Sequence, residues 1–523
     1  MEQETSIDLN QNKQNGDNLN DNKNKKQSSF VKKIDKFFKI SERKSNIKTE
    51  LISGLITFLA MSYILIANPN ILSDPHGANM KYGAAFLATA LSAFLGTMLM
   101  GLFGKLPLGL APGMGVNAFF SYTVAAKWGY SAEQALGICI LSGLLFLIIS
   151  LTPIRKTIIK AIPKDLKLAI GAGIGLFIAF IGLQNSGIIV PNGPTDTFTA
   201  NNITVDPGKT IHLAGPGTLV FQGTPSVTLG NLASPLALLA LGGILLSIIL
   251  YARKIKFNFI ISILVTATVG AIINYSYYGI NGSFIDNFPK FDFNGQFKYS
   301  ELGSFKDIVG KGFVSIFTDG KSFWKISILP AIITFLFLDL FDTLGTFVGV
   351  ANPLGLINKD GELEGADRAL MSDSIATIGG AVLGTPVVTT FIESSAGIEY
   401  GGKTGLSSIM ISFLFALSIP LFPLFAIFAT SPAVTAMVLF TLGIMMMSQL
   451  KYINWDDISI AASTFTIIIF MLLTFSISNG IAFGFIVYVT MKFVQGKFKD
   501  IHPMLYGLFF VFIGYLTIIQ FYS

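Results

Sequence analysis

Apolar stretches of about twenty residues recur along the chain from residue 51 onward, separated by short polar connections. A stretch of that length matches one helical crossing of a bilayer. The runs fall near 51–68, 82–103, 107–126, 132–152, 165–185, 233–251, 257–275, 325–351, 368–384, 387–401, 405–428, 432–450, 456–476 and 479–496, about fourteen in all. They predict an all-α polytopic membrane protein with one transporter domain over 45–523. A further apolar run, 504–521, would carry the C-terminus to the other side if it spanned, and is expected to lie at the interface or against the bundle.

Two segments, the third in each half, break the helical pattern. Pro107-Leu-Gly-Leu-Ala-Pro112-Gly-Met-Gly115 places two prolines and three glycines in nine residues, which no continuous helix tolerates. Gly384-Thr-Pro386-Val-Val-Thr-Thr-Phe-Ile-Glu393 opens with a β-branched stretch and then gives way to Ser-Ser-Ala-Gly. Both predict a short extended piece feeding a half-helix. Extended backbone at membrane depth needs protein or a watery cavity to satisfy its polar groups, so the two pieces should meet inside the bundle.

The halves also echo one another. Leu55-Ile56-Thr57-Phe58-Leu59 returns as Ile332-Ile333-Thr334-Phe335-Leu336, and Ala67-Asn68-Pro69 as Ala351-Asn352-Pro353. Seven spans separate the copies, an odd number, so the second half runs through the bilayer in inverted topology.

Composition supports the membrane reading. Hydrophobic residues are 52% of the chain and charged residues 13%, with a mean hydropathy of +0.64, whereas soluble domains carry roughly a quarter charged residues. Basic residues concentrate in alternate connections, at Arg155, Lys156, Lys160 and Lys164, at Arg253, Lys254 and Lys256, at Lys451, and at Lys497 and Lys499. This bias places the N-terminus in the cytoplasm of a plasma (inner) membrane protein. The net charge of +6 therefore says little about nucleic acid, and no such partner is expected.

Residues 1–44 read as a basic cytoplasmic tail without a cleavable leader. Met1 to Ser29 is too poor in apolar residues to fold. Phe30 to Ile40 fits either a basic amphipathic helix on an anionic membrane surface or a solvated charge run. The connections 186–231 and 276–324 fall outside, and the alternation around Ile211 to Phe221 predicts one or two hairpins in the first.

A single cysteine, Cys139, and three scattered histidines, His76, His212 and His502, leave no metal or nucleophile constellation. An enzyme, a metal site and an organic cofactor are not expected. The candidate chemistry lies in carboxylates instead. Asp339 and Asp342 sit in the apolar run Ile332 to Val350, and an ionisable pair at such depth normally faces a cavity, a substrate or a proton path. Asp339, Asp342, Thr343 and Thr346 share one helical face. Asn117 and Glu393 stand near the starts of the two half-helices.

An amide, three carboxylates and hydroxyls without a fixed cation suit a planar molecule with several N–H donors and ring acceptors, with Phe119, Phe120 or Phe391 available to stack on it. Desolvation favours the protonated carboxyl, so protonation can be coupled to substrate binding. The plain alternative is a buried carboxyl that caps a half-helix and never titrates. An inorganic-anion exchanger of the same architecture would keep carboxylates away from this point.

The segments GLITFLAMSYILIANPNILSD (54–74), APGMGVNAFF (111–120), FLFLDLFDTLGTFVGVA (335–351), ALMSDSIATIGGAVLGTPVVTTFIESSAGIEYGGKTGLSS (369–408) and IHPMLYG (501–507) resemble the AzgA-like hypoxanthine/adenine/guanine permeases, a branch of the nucleobase/ascorbate transporter superfamily. The resemblance implies fourteen spans in two inverted repeats of seven. It implies a core domain (spans 1–4, about 51–152, and 8–11, about 325–428), a gate domain (spans 5–7, about 165–275, and 12–14, about 432–496) and a homodimer through the gate. It also implies uptake of purine nucleobases (adenine, guanine or hypoxanthine) with elevator-like movement of the core.

Matched by motif, the implied purine contacts are Asn117, Asp339 and Glu393, with Phe391 and Ser394 beside the last. Asp339, Asp342 and Glu393 are the implied proton-coupling groups. Proton is favoured over sodium as the coupling ion because titratable carboxylates dominate the site. Another nucleobase, a small anion or sodium-coupled purine uptake are the alternatives, and the preferred purine stays open because adenine and the oxopurines differ by one donor–acceptor exchange.

Overall fold

The computed structural model describes residues 29–152, 163–191, 199–200, 203–204, 227–255, 257–285, 287–290, 299–325, 327–354, 364–429, 431–474 and 476–522. In chain order the first half comprises α1 (Ser29–Phe38), α2 (Ile47–Met61), α3 (Ile64–Ser73), α4 (Tyr82–Leu99), β1 (Leu110–Pro112), α5 (Met114–Ala118), α6 (Ala132–Leu151), α7 (Lys164–Asn185), β2 (Ile189–Pro191), β3 (Thr199–Ala200), β4 (Ile203–Thr204), β5 (Val227–Leu229), α8 (Pro235–Ala252) and α9 (Asn258–Asn281). The second half comprises α10 (Lys311–Thr318), α11 (Ile328–Leu354), α12 (Ala366–Leu383), β6 (Val388–Thr390), α13 (Ser394–Tyr400), α14 (Gly405–Ser418), α15 (Phe422–Ala429), α16 (Pro432–Met447), α17 (Ile458–Leu473), α18 (Ile477–Val494) and α19 (Pro503–Tyr522).

Among the described residues nine helices are long and apolar enough to cross a membrane. The interrupted segments around β1 and β6, and shorter helices such as α17, fall below that length. Buried positions are dominated by Ala, Ile, Leu, Phe and small hydroxyl residues, the composition that lets membrane helices approach closely.

The helices sort into two packed groups. In one, α4 and α6 pack on α12, α4 and α12 flank the β1–β6 pair, and α14 lies on α4 and α2, with α2 also on α13. In the other, α7 packs on α16 and α17, α17 on α18, and α8 on α16 and α9. A joint between the groups is tight: a Cβ on Gly115 of α5 would fall 2.4 Å from Ile174 Cγ2 of α7.

The first span differs from the continuous helix read in the sequence. It is interrupted between α2 and α3, where Leu65 N–H bonds to Ser62 O at 3.1 Å and Ile66 N–H to Tyr63 O at 3.0 Å, the tighter spacing of a 3₁₀ turn. Residues 29–44, grouped in the sequence with the tail, fold against the bundle. Phe38 and Ile40 bury against Leu406, with Ile34, Ile47 and Ile409 around them, while Lys32, Lys33 and Lys36 stay exposed. Arg43 Nη1 then donates to Lys105 O and to Lys403 O, each at 2.8 Å, tying one turn from each half.

The 186–231 connection is drawn together by two antiparallel pairs, β2 with β5 and β3 with β4; the alternation at Ile211 to Phe221, His212 and the tail before residue 29 lie outside the described residues. Helix α19 packs on the bundle, Phe512 meeting Phe485 of α18 at 5.5 Å between ring centroids, and its other side is open, with Phe510 exposed.

Candidate substrate site

The two interrupted segments meet. β1 and β6 run antiparallel, with Leu110 opposite Thr390, Ala111 opposite Thr389 and Pro112 opposite Val388. All six residues are buried, and bonds along and beside the pair satisfy backbone groups that a dry interior would leave costly. Gly113 N–H donates to Val387 O at 3.1 Å and Phe391 N–H to Gly109 O at 2.9 Å. Gly109 N–H donates to Ser394 Oγ and Leu110 N–H to Thr97 Oγ1, both at 2.9 Å. Ser408 Oγ reaches the carbonyls of Leu106 and Leu108. Ser394 is thereby committed to the crossing, and Phe391, 6% exposed, is held at its edge.

Each strand leads directly into a half-helix. Asn117 lies on α5, fully buried, and neither its amide nitrogen nor its amide oxygen has a hydrogen-bond partner. Leaving buried polar atoms unpaired costs about 1–3 kcal/mol for each group. Phe119, two residues on, packs edge-on against Phe335 of α11 at 4.9 Å between ring centroids. Phe119 and Phe120 are both fully buried.

Glu393 stands immediately before α13, 8% exposed, and its Oε1 accepts the Tyr63 hydroxyl at 2.8 Å. Tyr63 lies in the turn that interrupts the first span. Asp342 is an electrostatic neighbour of both Glu393 and Tyr63, and its Oδ2 lies 3.5 Å from where a Gly113 Cβ would stand. Asp342 is only partly buried.

Asp339 keeps different company. It is 1% exposed, accepts Thr377 Oγ1 on Oδ2 at 2.8 Å and neighbours Asp373. Asp373 in turn accepts Thr343 Oγ1 at 2.6 Å, and Thr343 pairs with Thr389 Oγ1 at 2.8 Å. Thr377 also reaches Val388 O at 3.0 Å. The structure thus brings Asn117, Asp342 and Glu393 to the crossing, and places Asp339 with Asp373 in a sealed pair behind β6.

Sequence reasoning missed Tyr63, Asp373 and Thr377. Asp373 is signalled only as an acid in the otherwise small-residue run SDSIATIGG, and Tyr63 by a serine–tyrosine step inside an apolar helix. Cys139 is a free cysteine buried in the core. Among the described residues no group of His, Cys, Asp and Glu has a metal-binding arrangement.

The family model Xan_ur_permease, a permease family, matches residues 48–223 and 214–483. The chain belongs to this family. The permease is 37% identical over 490 residues to the guanine/hypoxanthine permease PbuG of Bacillus subtilis (strain 168), covering 92% of this chain and 99% of that one. It is 32% identical over 469 residues to the adenine permease AdeQ of Escherichia coli (strain K12), covering 90% and 93%. In fold the permease is similar to the transmembrane domain of the cyanobacterial bicarbonate transporter BicA, with a TM-score of 0.53 at 15% identity over 83% of this chain and 97% of that one. The membrane-transporter fold with inverted repeats, core and gate expected from the sequence is therefore present.

Proposed function

We propose that this permease performs secondary active uptake of purine nucleobases by proton symport, without enzymatic chemistry. The observation that carries the reading is the unpaired amide of Asn117 at the same crossing as the carboxylates Asp342 and Glu393. A purine offers ring N–H donors to the carboxylates and a donor–acceptor edge to the unpaired amide. Relatives of both the guanine/hypoxanthine and adenine kind support a purine, and a crossing with no fixed cation among the described residues disfavours an inorganic anion.

The coupling proton is assigned to the carboxylates. The Thr377 hydroxyl has one hydrogen and two acceptors, Asp339 Oδ2 and Val388 O. If Asp339 carries a proton and donates it to Thr377, Thr377 is free to donate to Val388 and the count closes. Asp339 with Asp373 thereby becomes a proton-holding pair behind the site, and Asp342 and Glu393 the groups in front of it. Movement of the α4–α6–α12–α14 group past the α7–α16–α17 group supplies an elevator-type passage, with the N-terminus cytoplasmic, the protein in the inner membrane and a homodimer formed through the gate.

Accumulation of radiolabelled hypoxanthine, measured at external pH either side of neutrality, with and without a proton uncoupler, and with sodium replaced by potassium, tests the coupling. Accumulation abolished by the uncoupler and indifferent to sodium is expected; sodium-dependent accumulation that survives the uncoupler contradicts it.

A further inference from the structure

Tyr63 touches both sides of the joint between the two helix groups. Its hydroxyl donates to Glu393 Oε1 at 2.8 Å, and its ring lies 4.9 Å, centroid to centroid, from Phe259 at the start of α9, tilted by 39°. Tyr63 is 2% exposed and Phe259 3%. Helix α2, which ends at the turn holding Tyr63, packs closely on the half-helix that follows Glu393: a Cβ on Gly397 would fall 2.2 Å from Thr57 Oγ1 and 2.5 Å from Ser53 O.

We propose that Tyr63 is a positioning residue for transport, an internal stand-in for the substrate that occupies Glu393 when the site is empty and links its occupancy to the packing of α9. The inference rests on the purine reading for the identity of the competitor, and on the Tyr63 contacts alone for the latch. The phenol presents one O–H donor to the carboxylate, as a purine ring presents an N–H. Glu393 has acceptor sites for more than one donor; the latch is displacement, in which an arriving ring N–H takes Oε1 and the Tyr63 hydroxyl is released. Because the same ring lies against Phe259, that release loosens a contact between the two groups of helices. In the empty carrier the bond re-forms and the buried carboxylate regains a donor, which favours the return step.

Tyr63→Phe separates the two contacts, keeping the ring on Phe259 and removing the hydroxyl. Carboxylate infrared difference spectra of the purified, purine-free protein, Tyr63→Phe minus wild type, read the bond whatever ligand is carried. A band that moves in Tyr63→Phe and is absent in the Glu393→Gln background supports the latch, and an unchanged spectrum overturns it. In hypoxanthine uptake, Tyr63→Phe is expected to lower KM about two- to tenfold, the range set by one net hydrogen bond, and to lower the maximal rate. Phe259→Ala, which spares Glu393, is expected to lower the maximal rate with KM unchanged. Wild-type KM and rate in a well-expressed Tyr63→Phe overturn the proposal. Wild-type protein that carries no purine defeats the purine reading, and the infrared result still decides the latch.

Discussion

Ala111 lies opposite Thr389 in an antiparallel pair that joins two segments nearly 280 residues apart, and neither segment satisfies its own backbone without the other. Gly113 follows directly, and a Cβ there would stand 2.8 Å from Thr389 Cγ2. Gly113→Val is therefore expected to abolish uptake by forcing the crossing apart. Uptake normalised to surface-expressed protein checks it; retained activity would show that the crossing tolerates displacement.

Asn117→Ala removes a buried amide that has no hydrogen-bond partner within the protein. Binding should weaken by about 1–3 kcal/mol, the cost of losing a buried polar contact, while the empty protein keeps or gains thermal stability. Competition binding of hypoxanthine to purified protein, with a thermal melt beside it, reads both. A destabilised protein with unchanged affinity would place the amide in the scaffold.

The crossing was legible in the sequence because Pro107, Pro112 and the nearby glycines forbid a helix, and the Pro386–Thr390 stretch favours an extended one. Asn117, Asp342 and Glu393 were legible because polar groups in apolar helices are costly. The separation of Asp339 from Asp342 was not. Three residues apart on one helix, they share a face in projection, yet Asp339 packs toward α12 and Asp342 toward the crossing, a division made by helices distant in the chain. Tyr63 was hidden for a related reason: a tyrosine is unremarkable in an apolar helix until its hydroxyl is seen on a carboxylate.

Asp373→Asn leaves an amide able to hydrogen-bond Asp339 without a shared proton. Accumulation of hypoxanthine should fall steeply and lose its dependence on external pH, while exchange of internal for external purine continues. Simultaneous loss of exchange would instead assign Asp373 to binding or folding.

Gly115 meets Ile174 where the two helix groups touch. Gly115→Ala should slow transport, and Ile174→Ala added to it should restore the rate by returning the volume, since contacting sites couple. Initial rates for the two single variants and the double variant test this; additive losses would show the contact is not a moving joint.

At the start of α17, Lys492 Nζ donates to Asp457 Oδ2 at 2.8 Å, and the Ser459 hydroxyl and backbone N–H also donate to this carboxylate. Partial burial pushes the Asp457 carboxyl up, but these donors and the Lys492 charge outweigh it and hold the group below the usual carboxylate range. A depressed carboxylate adds stability above its unfolded value, about pH 4, and loses it as pH falls through the folded value. Lys492→Met should lower the melting temperature at neutral pH and shrink its fall below about pH 4. An unchanged melting profile would reduce the pair to a surface contact.

Uptake of radiolabelled hypoxanthine in cells lacking their own purine permeases, with excess unlabelled adenine, guanine, xanthine, uracil or sulfate as competitors, tests the central claim most directly. Saturable uptake blocked by a subset of the purines, untouched by uracil and sulfate and lost in Glu393→Gln, is the predicted result. A surface-expressed protein with no purine-dependent uptake, or one blocked by sulfate, would contradict it.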